Sequence, residues 1–451
     1  MIPQIPDYVT ETYDKLQKQG FQVYLVGGCV RNLLMGAPIK DWDLTTNATP
    51  FDIQKAFKES FYDNKFGTVG IPIKNPQTVI EITTFRTEEG YKDRRHPEKV
   101  SWGKTIEEDL TRRDFTINAI ALKLIPKKHP FIVDPFKGQE DLEKKLVKAV
   151  GDPSKRFKED ALRLIRAIRI ATELKFTIDK KTWEEIKKDA PLIKEIAAER
   201  VQKELLRILS SDNAYDGVLL LKESNLLGEI IPELLEGVGI SQKRPGRHHT
   251  TDVFTHNILS LKYCSSKDPI VRFATLLHDV AKPRVISFDK DGLVIFHNHE
   301  VLGARMVDKI CQRLKFSKKD KDKIISLVRW HMFSVSENLT DAAIRRFIRR
   351  VGVGNVKDMM DLRVGDRLGG GTQKAESWRL KLFKERIQKE FSPKPFSVED
   401  MAVDGHDIME TLKIKPGPKV GEILEKLFEE VDEDLSKNKK EYLIERIKEL
   451  A

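Results

Sequence analysis

Apolar positions in the first 20 residues recur at helical spacing, which predicts an amphipathic helix leading into "FQVYLV", a short apolar strand that ends at Gly27-Gly28. Strands alternating with short helices continue to about residue 150, with "VIEITTF" and "PFIVDPF" as further strands. From Pro153 the β signal fades, and long helical periods such as "TWEEIKKDAPLIKEIAAERVQKELLRILS" take over. Within that region "RFKEDALRLIRAIRIA" predicts one helix over 156–171, with Arg163, Arg166 and Arg169 opposite a stripe of Ala161, Leu164, Ile165 and Ile168. Leu162 is the one large side chain out of place. Further composition shifts fall at "GISQKRPGRHHTTD" and at the proline-punctuated "FSPKPFSVED", before a charged C-terminal helix over about 418–450. The pattern predicts an α+β chain in which a small mixed-sheet head, 1–150, precedes three helical segments, 151–247, 248–370 and 371–451. No repeat of fixed period occurs.

Charge changes the picture modestly. The 451 residues carry 80 basic and 70 acidic side chains, a net +10, which fits a polyanionic partner better than a membrane or an acidic protein. The C-terminal "KNKKEYLIERIKEL" is basic and amphipathic, the pattern of a packed or solvated helix. Cys29, Cys264 and Cys311 are few and widely spaced, which argues against a disulfide framework or a thiolate zinc site and for a reducing, cytoplasmic compartment. The N-terminus has no basic segment followed by an apolar run, and no stretch is long and apolar enough to span a bilayer, so a soluble protein is expected.

Candidate chemistry begins at "LVGGCVRNLLMG", which reads as strand, glycine turn and helix. Gly27 and Gly28 allow close backbone approach, amides at the helix start can face a phosphate, and Arg31 adds positive charge. In "KDWDLTT", Asp41 and Asp43 lie two apart and share a strand face, while Trp42 and Leu44 turn to the core. Adjacent carboxylates repel, and a hard divalent cation such as Mg²⁺ relieves that repulsion. Glu81 is either a third acid on a neighbouring strand or a structural carboxylate; the sequence leaves both open. "RRDFTINA" places Arg112, Arg113, Asp114 and Asn118 at the start of an apolar helix, where guanidiniums can clamp a triphosphate and Asp or Asn can bond a sugar hydroxyl. Together these point to nucleotidyl transfer with two Mg²⁺ ions.

The ordered set "LVGGCVRNLLMG", "DWDL", "RRDFTINA", "DPFKGQEDL" and "EDALRLIRAIR" resembles the class II tRNA nucleotidyltransferase family, the bacterial CCA-adding enzymes and their poly(A) polymerase relatives, over about residues 20–215. The resemblance implies a polymerase head followed by neck, body and tail that grip the acceptor and TΨC arms of tRNA, with CTP and ATP as substrates. It implies that Glu159, Asp160 and Arg163 form the signature that bonds the edge of the incoming base, with Arg166 and Arg169 toward the triphosphate. Poly(A) polymerases are not expected to carry that signature. The polar stretch "FRTEEGYKDRRHPEKVSWGKTIEEDL" is full-length, unlike the shortened loop of relatives that add only CC, which leaves full CCA addition or addition of the terminal A. One departure is Asn32, where the family usually has Asp.

A second constellation joins His256, the pair His278-Asp279, His299, His331 and Asp366. Imidazoles mixed with carboxylates suit Mn²⁺, Ni²⁺, Fe²⁺ or Zn²⁺ better than Mg²⁺ alone. The order resembles the HD phosphohydrolase superfamily, whose four core ligands match His256, His278, Asp279 and Asp366. His299 and His331 match the extra positions of its two-metal members, and Lys282 is placed to contact phosphate. This implies phosphodiesterase or phosphatase activity on damaged 3' ends. Two rival readings stand beside the preferred one: a poly(A) polymerase, and a chain whose main activity is the HD site while the head binds RNA. Oligomeric state is not readable.

Overall fold

In the computed structural model the described residues are 5–62, 67–91, 97–125, 129–243, 251–390 and 397–450. They form two compact units: Met1–Leu235 with Gln312–Phe316, and Glu236–Cys311 with Ser317–Ala451. The head of the first unit is built on a seven-stranded sheet. Its strands are β1 (Val23–Val26), β2 (Trp42–Thr46), β3 (Phe61–Tyr62), β4 (Thr68–Ile73) and β5 (Thr78–Thr84). Beyond a separate hairpin, β6 (Arg86–Tyr91) and β7 (Pro97–Trp102), come β8 (Ala121–Lys123) and β9 (Phe131–Val133). The spatial order is β3-β4-β5-β2-β1-β8-β9, with β2 and β5 parallel and the other pairs antiparallel.

β1 explains its own unbroken apolar run. Val23 and Leu25 enter one core with Val9, Tyr13 and Leu16 of the Asp7–Gln17 helix. Tyr24 and Val26 enter another with Phe85, Ile106 and Leu110. A strand covered on both faces has no polar alternation to show.

Four sequence expectations change. The 85–110 stretch is not a polar loop throughout, because β6 and β7 pair in antiparallel register; residues 92–96 lie outside the described residues. The apolar run after Arg113 is not a helix. The Ile106–Thr111 helix ends before it, and the run becomes a 3-10 turn, Thr116–Asn118, followed by the buried strand β8. The predicted 156–171 helix is two, Pro153–Glu159 and Leu162–Leu174, broken where Asp160 is extended at φ −142°. Of the three arginines Arg163 and Arg169 are buried, at 8% and 6% exposed, and Leu162 is buried with them. The C-terminal segment likewise divides into Pro418–Glu433 and Lys440–Glu449, which share a core through Leu427, Val431, Leu443 and Ile447.

Among its described residues the second unit is helical apart from one short hairpin, Ser287–Phe288 with Val294–Ile295, and an isolated bridge between Ser241 and Asp252. Its helices include Val253–Tyr263, Pro269–Leu277, His299–Arg313, Lys318–Trp330, Asp341–Val351 and Val356–Gly369. Residues 244–250 of the basic linker "GISQKRPGRHHTTD" and residues 391–396 of "FSPKPFSVED" lie outside the described residues. No helix among the described residues is long and apolar enough to cross a membrane, and all three cysteines are free and buried.

Candidate functional site

The glycine turn forms as its sequence requires. Gly27 sits at φ +76°, and a Cβ there would meet Arg113 Nη1 at 3.3 Å and Asp43 Oδ2 at 3.4 Å. Glycine thus lets a guanidinium and a carboxylate close over the turn. The Gly28–Leu34 helix follows directly and carries Arg31.

Parallel pairing of β2 with β5 sets Asp43 opposite Glu81. Asp41 precedes β2 by one residue, and Trp42 and Leu44 are buried as the alternation requires. Burial, with Glu81 and Asp41 beside it, pushes the Asp43 carboxyl up to about 6 although Arg113 opposes the shift. Three acids in this register form a site where positive charge is deficient, which fits Mg²⁺ chemistry. Asp41 and Asp43 open into a cleft of about 610 Å³, whose walls include Gly28, Arg31, Asn118, Arg166 and Arg169.

Those cationic and polar groups are held by one another. Arg31 donates to Asn118 Oδ1 at 2.8 Å and to Asn32 Oδ1 at 2.9 Å, and Asn32 donates to the Pro38 carbonyl at 2.9 Å. An amide at position 32 therefore accepts from Arg31 while donating to the loop before Asp41, a pairing a carboxylate cannot make. Asp114 takes Arg166 at 2.9 Å and accepts from Asn118 at 3.2 Å. Burial would raise the Asp114 carboxyl, but Arg166 and Arg163 outweigh it and hold it below the ordinary range. Arg169 pairs with Glu173 at 2.8 Å and with Glu204.

Other residues singled out in the sequence are each held by polar partners. Arg112 and Arg113 both bind Asp109, which is fully buried, at 2.6 and 3.0 Å. Arg163 donates to Glu159 at 3.0 Å and to the Arg112 carbonyl at 2.9 Å, so its guanidinium ties the helix break to the Arg112-Arg113 segment. Asp160 accepts from the Leu162 amide and pairs with Arg200 at 3.1 Å. Neither Asp160 nor Arg163 lines the 610 Å³ cleft. The "DPFKGQEDL" motif is scaffolding for the turn that carries Asn118. Asp134 accepts from the Gly138 and Gln139 amides, and Asp141 accepts from Thr116 Oγ1 at 2.7 Å.

Sequence reasoning missed Asp109, Arg200 and Glu204. Asp109 stands three and four residues before Arg112 and Arg113, a helical spacing that was available to be read. Arg200 and Glu204 lie 40 and 35 residues from their partners and left no local signal.

In the second unit the six His and Asp positions converge. His256, His278 and Asp366 present ligand atoms mutually within 4.8 Å, and so do Asp279, His299 and His331. His256 Nε2 lies 3.2 Å from His278 Nε2, and His299 Nε2 lies 3.3 Å from His331 Nε2. Asp279 bridges the triplets, with Oδ2 3.3 Å from His278 and Oδ1 3.2 Å from His299. The Nδ1 atoms of His278, His299 and His331 face the carbonyls of Thr275, Phe296 and Val328 at 2.7 to 2.8 Å. A carbonyl requires Nδ1–H as donor, which leaves each Nε2 lone pair aimed at the cluster, the arrangement metal-binding histidines use. Burial disfavours charge on His278, yet Asp279 and Asp366 outweigh it and push the imidazole up to about 10. The carboxylates thus demand positive charge in a buried place, which a divalent ion can supply. Lys282 binds Asp279 at 2.5 Å and Gln242 at 2.6 Å, and Arg363 binds Asp366 at 3.0 Å. The cluster opens into a cavity of about 330 Å³.

Comparison with known proteins agrees with the head geometry. Residues 23–148 match the "Poly A polymerase head domain", 175–237 the "RNA and SrmB- binding site of polymerase A", and 298–447 a "tRNA nucleotidyltransferase domain 2". The chain is 31% identical over 454 residues to the CCA-adding enzyme of Limosilactobacillus reuteri, covering 100% of this chain and 98% of that one. It is 32% identical over 418 residues to the A-adding tRNA nucleotidyltransferase of Deinococcus radiodurans, covering 90% of each. Among solved structures it is similar to the Bacillus stearothermophilus CCA-adding enzyme in complex with CTP, at TM-score 0.70 and 25% identity over 99% of this chain and 98% of that one.

Proposed function

The chain belongs to the bacterial-type tRNA nucleotidyltransferase family of the CCA-adding enzymes, and we propose that it builds the tRNA 3' end from CTP and ATP without a nucleic-acid template. The observation that carries this is Asp43 facing Glu81 across two parallel strands, with Asp41 two residues away, at the mouth of an arginine-walled cleft.

Asp41, Asp43 and Glu81 are the residues to hold Mg²⁺, which family members of this kind generally use. Held by these carboxylates, the ion would supply Lewis-acid activation of the RNA 3'-hydroxyl and positive charge against the triphosphate. The 3'-oxygen forms a bond to the α-phosphorus, the α–β bond breaks, pyrophosphate leaves, and the hydroxyl proton departs to solvent or a carboxylate. Gly27 and Gly28 admit the triphosphate to the backbone, and Arg31, Arg113, Arg166 and Arg169 carry its charge. Asp114 and Asn118 orient these cations and face the sugar. Asp160, steadied by Arg200, accepts from the exocyclic amino group shared by cytosine and adenine, while Arg163 fixes the segment beneath it. Both CCA-adding and A-adding relatives are similar to the chain; the 86–102 hairpin argues against addition of CC alone and leaves both of these outcomes open. The segments 1–150, 151–247, 248–370 and 371–451 serve as head, neck with RNA-binding body, metal-binding domain and tail.

Incubation with tRNA lacking CCA, and with tRNA ending in CC, each with CTP, ATP or both, tests the assignment. Two C and one A are expected on the first substrate and one A on the second. Addition of A only to the second identifies an A-adding enzyme, and runs of A on any RNA identify a poly(A) polymerase.

The six-ligand cluster favours a second activity. His256, His278 and Asp366, with Asp279, His299 and His331, suit a pair of transition-metal ions such as Ni²⁺, Mn²⁺, Fe²⁺ or Zn²⁺. Held by these six residues, such ions would supply an activated water for hydrolysis of a phosphoester, including a 2',3'-cyclic phosphate on a damaged 3' end. Protein that binds no transition metal and releases no phosphate with added metal would refute this reading.

A further inference from the structure

A second cavity, of about 390 Å³, adjoins the one over the six-ligand cluster, and Met332 borders both. Its size lies in the range of about 300–1,000 Å³ common to small-molecule sites. Its walls follow from the ligand positions: Trp330 immediately precedes His331, and Glu300 follows His299. Phe333 and Phe347 line it with centroids 4.7 Å apart, backed by buried Phe383. Arg363, which binds Asp366, lies 5.3 Å from the Phe333 ring and so connects this wall to the cluster.

The charge of the cavity comes from one helix with a doubled pattern. Asp341–Val351 carries Arg345-Arg346 and Arg349-Arg350. Arg345 and Arg349, one turn apart, both donate to Asp432, at 2.8 and 3.1 Å. Arg346 and Arg350, also one turn apart, line the cavity instead; both are exposed and neither makes an ion pair among the described residues. Arg350 lies 5.1 Å from the Trp330 ring. The acid among the wall residues, Glu300, lies 3.7 Å from Arg329, another wall residue.

A purely apolar ligand has no use for these guanidiniums, and an isolated phosphate has no use for the rings. Aromatic side chains combined with arginines that have no acidic partner among the described residues match unpaired nucleotides, whose bases stack and whose phosphates pair with cations. We propose that this cavity seats the penultimate, unpaired nucleotide of an RNA strand and so presents the strand's terminal phosphate to the six-ligand cluster. The inference rests on the reading of that cluster as a metal-dependent phosphoesterase and makes its substrate an RNA 3' end, not a free nucleotide. Hydrolysis there adds water across one P–O bond of the terminal cyclic phosphate and leaves a monophosphate, with no redox partner.

The test uses the full chain and its Arg346→Glu/Arg350→Glu variant, both exposed positions, with Ni²⁺ or Mn²⁺ supplied. A tetranucleotide ending in 2',3'-cyclic phosphate and 2',3'-cyclic AMP are hydrolysed in parallel. For the tetranucleotide kcat/KM should fall about 10-fold or more, chiefly through KM, while the mononucleotide stays within about twofold. In parallel, metal-free protein is photocrosslinked to the same tetranucleotide with 4-thiouridine at the penultimate position. A crosslink in the peptide holding Trp330 and Phe333, weakened in the variant, supports the cavity even if neither substrate is hydrolysed, in which case the phosphoesterase reading alone fails. An unchanged tetranucleotide rate, an equal loss on both substrates, or a crosslink elsewhere overturns the proposal.

Discussion

Among single residues, Asp43 stands at the centre of the acids of the head, opposite Glu81 and two residues from Asp41. Its carboxyl is pushed up to about 6 by burial and by Glu81 and Asp41, above the ordinary 3.8. A raised folded value means that this group contributes stability below about pH 4, and the contribution is lost as pH rises through 6. Mg²⁺ replaces the proton, so the Mg²⁺-induced rise in Tm should be small near pH 5 and larger near pH 7.5. In Asp43→Asn the metal-free protein should melt higher than the native one near pH 7.5 and lose the Mg²⁺ response; equal Mg²⁺ shifts at both pH values would contradict this. Asp160 depends on a partner that no local pattern reveals. Arg200→Ala removes its charged hydrogen bonds, and kcat/KM for CTP and ATP should fall about 10-fold or more, with partial rescue by Arg200→Lys. Pre-steady-state incorporation of each nucleotide checks it. The Asp41-Asp43 pair was readable because strand alternation alone brings two carboxylates together. Arg163 was legible only in part: its bond to Glu159 has helical i,i+4 spacing, but its bond to the carbonyl of Arg112, 51 residues away, left no local signal.

Elements show where periodicity misleads. The run after Arg113 is apolar enough for a helix, yet it supplies a 3-10 turn and a buried strand, and burial on all sides erases the period that separates the two. The 156–171 pattern is continuous, but an Asp at 160 bonding the amide two residues on competes with the helix and breaks it. β1 and β5 were legible as strands because both are short β-rich runs bounded by turn residues. The Thr116–Asn118 turn is fixed from outside, by Gly138, where a Cβ would sit 2.3 Å from the Thr116 carbonyl oxygen. Gly138→Ala should therefore cost about 1–3 kcal/mol in denaturant unfolding and lower nucleotide addition, because Asn118 and, through it, Arg31 shift with the turn. Unchanged stability would show that the turn has room to give.

Across the whole molecule each constellation is assembled within its own compact unit, the acids of β2 and β5 in the first and the six ligands in the second. The sequence order of the His and Asp positions was enough to nominate the cluster, since each ligand sits on or beside a helix that the pattern predicts. The Asp341–Val351 arginines were not singled out, because which pair faces Asp432 depends on a helix some 80 residues later. The two chemistries should separate. His278→Ala should abolish metal-dependent phosphate release and leave nucleotide addition within about twofold; a comparable loss of both would contradict separate sites. Addition to the tRNA 3' end is assigned to the acids of the head. This assignment is tested most directly by following CMP and AMP incorporation into tRNA lacking CCA, with Mg²⁺, by the native chain and by Asp43→Ala. Ordered addition of C, C and A by the native chain and a loss of at least about 10³-fold in the variant are expected. Addition that survives Asp43→Ala, or a native chain that adds nothing to this RNA, would contradict it.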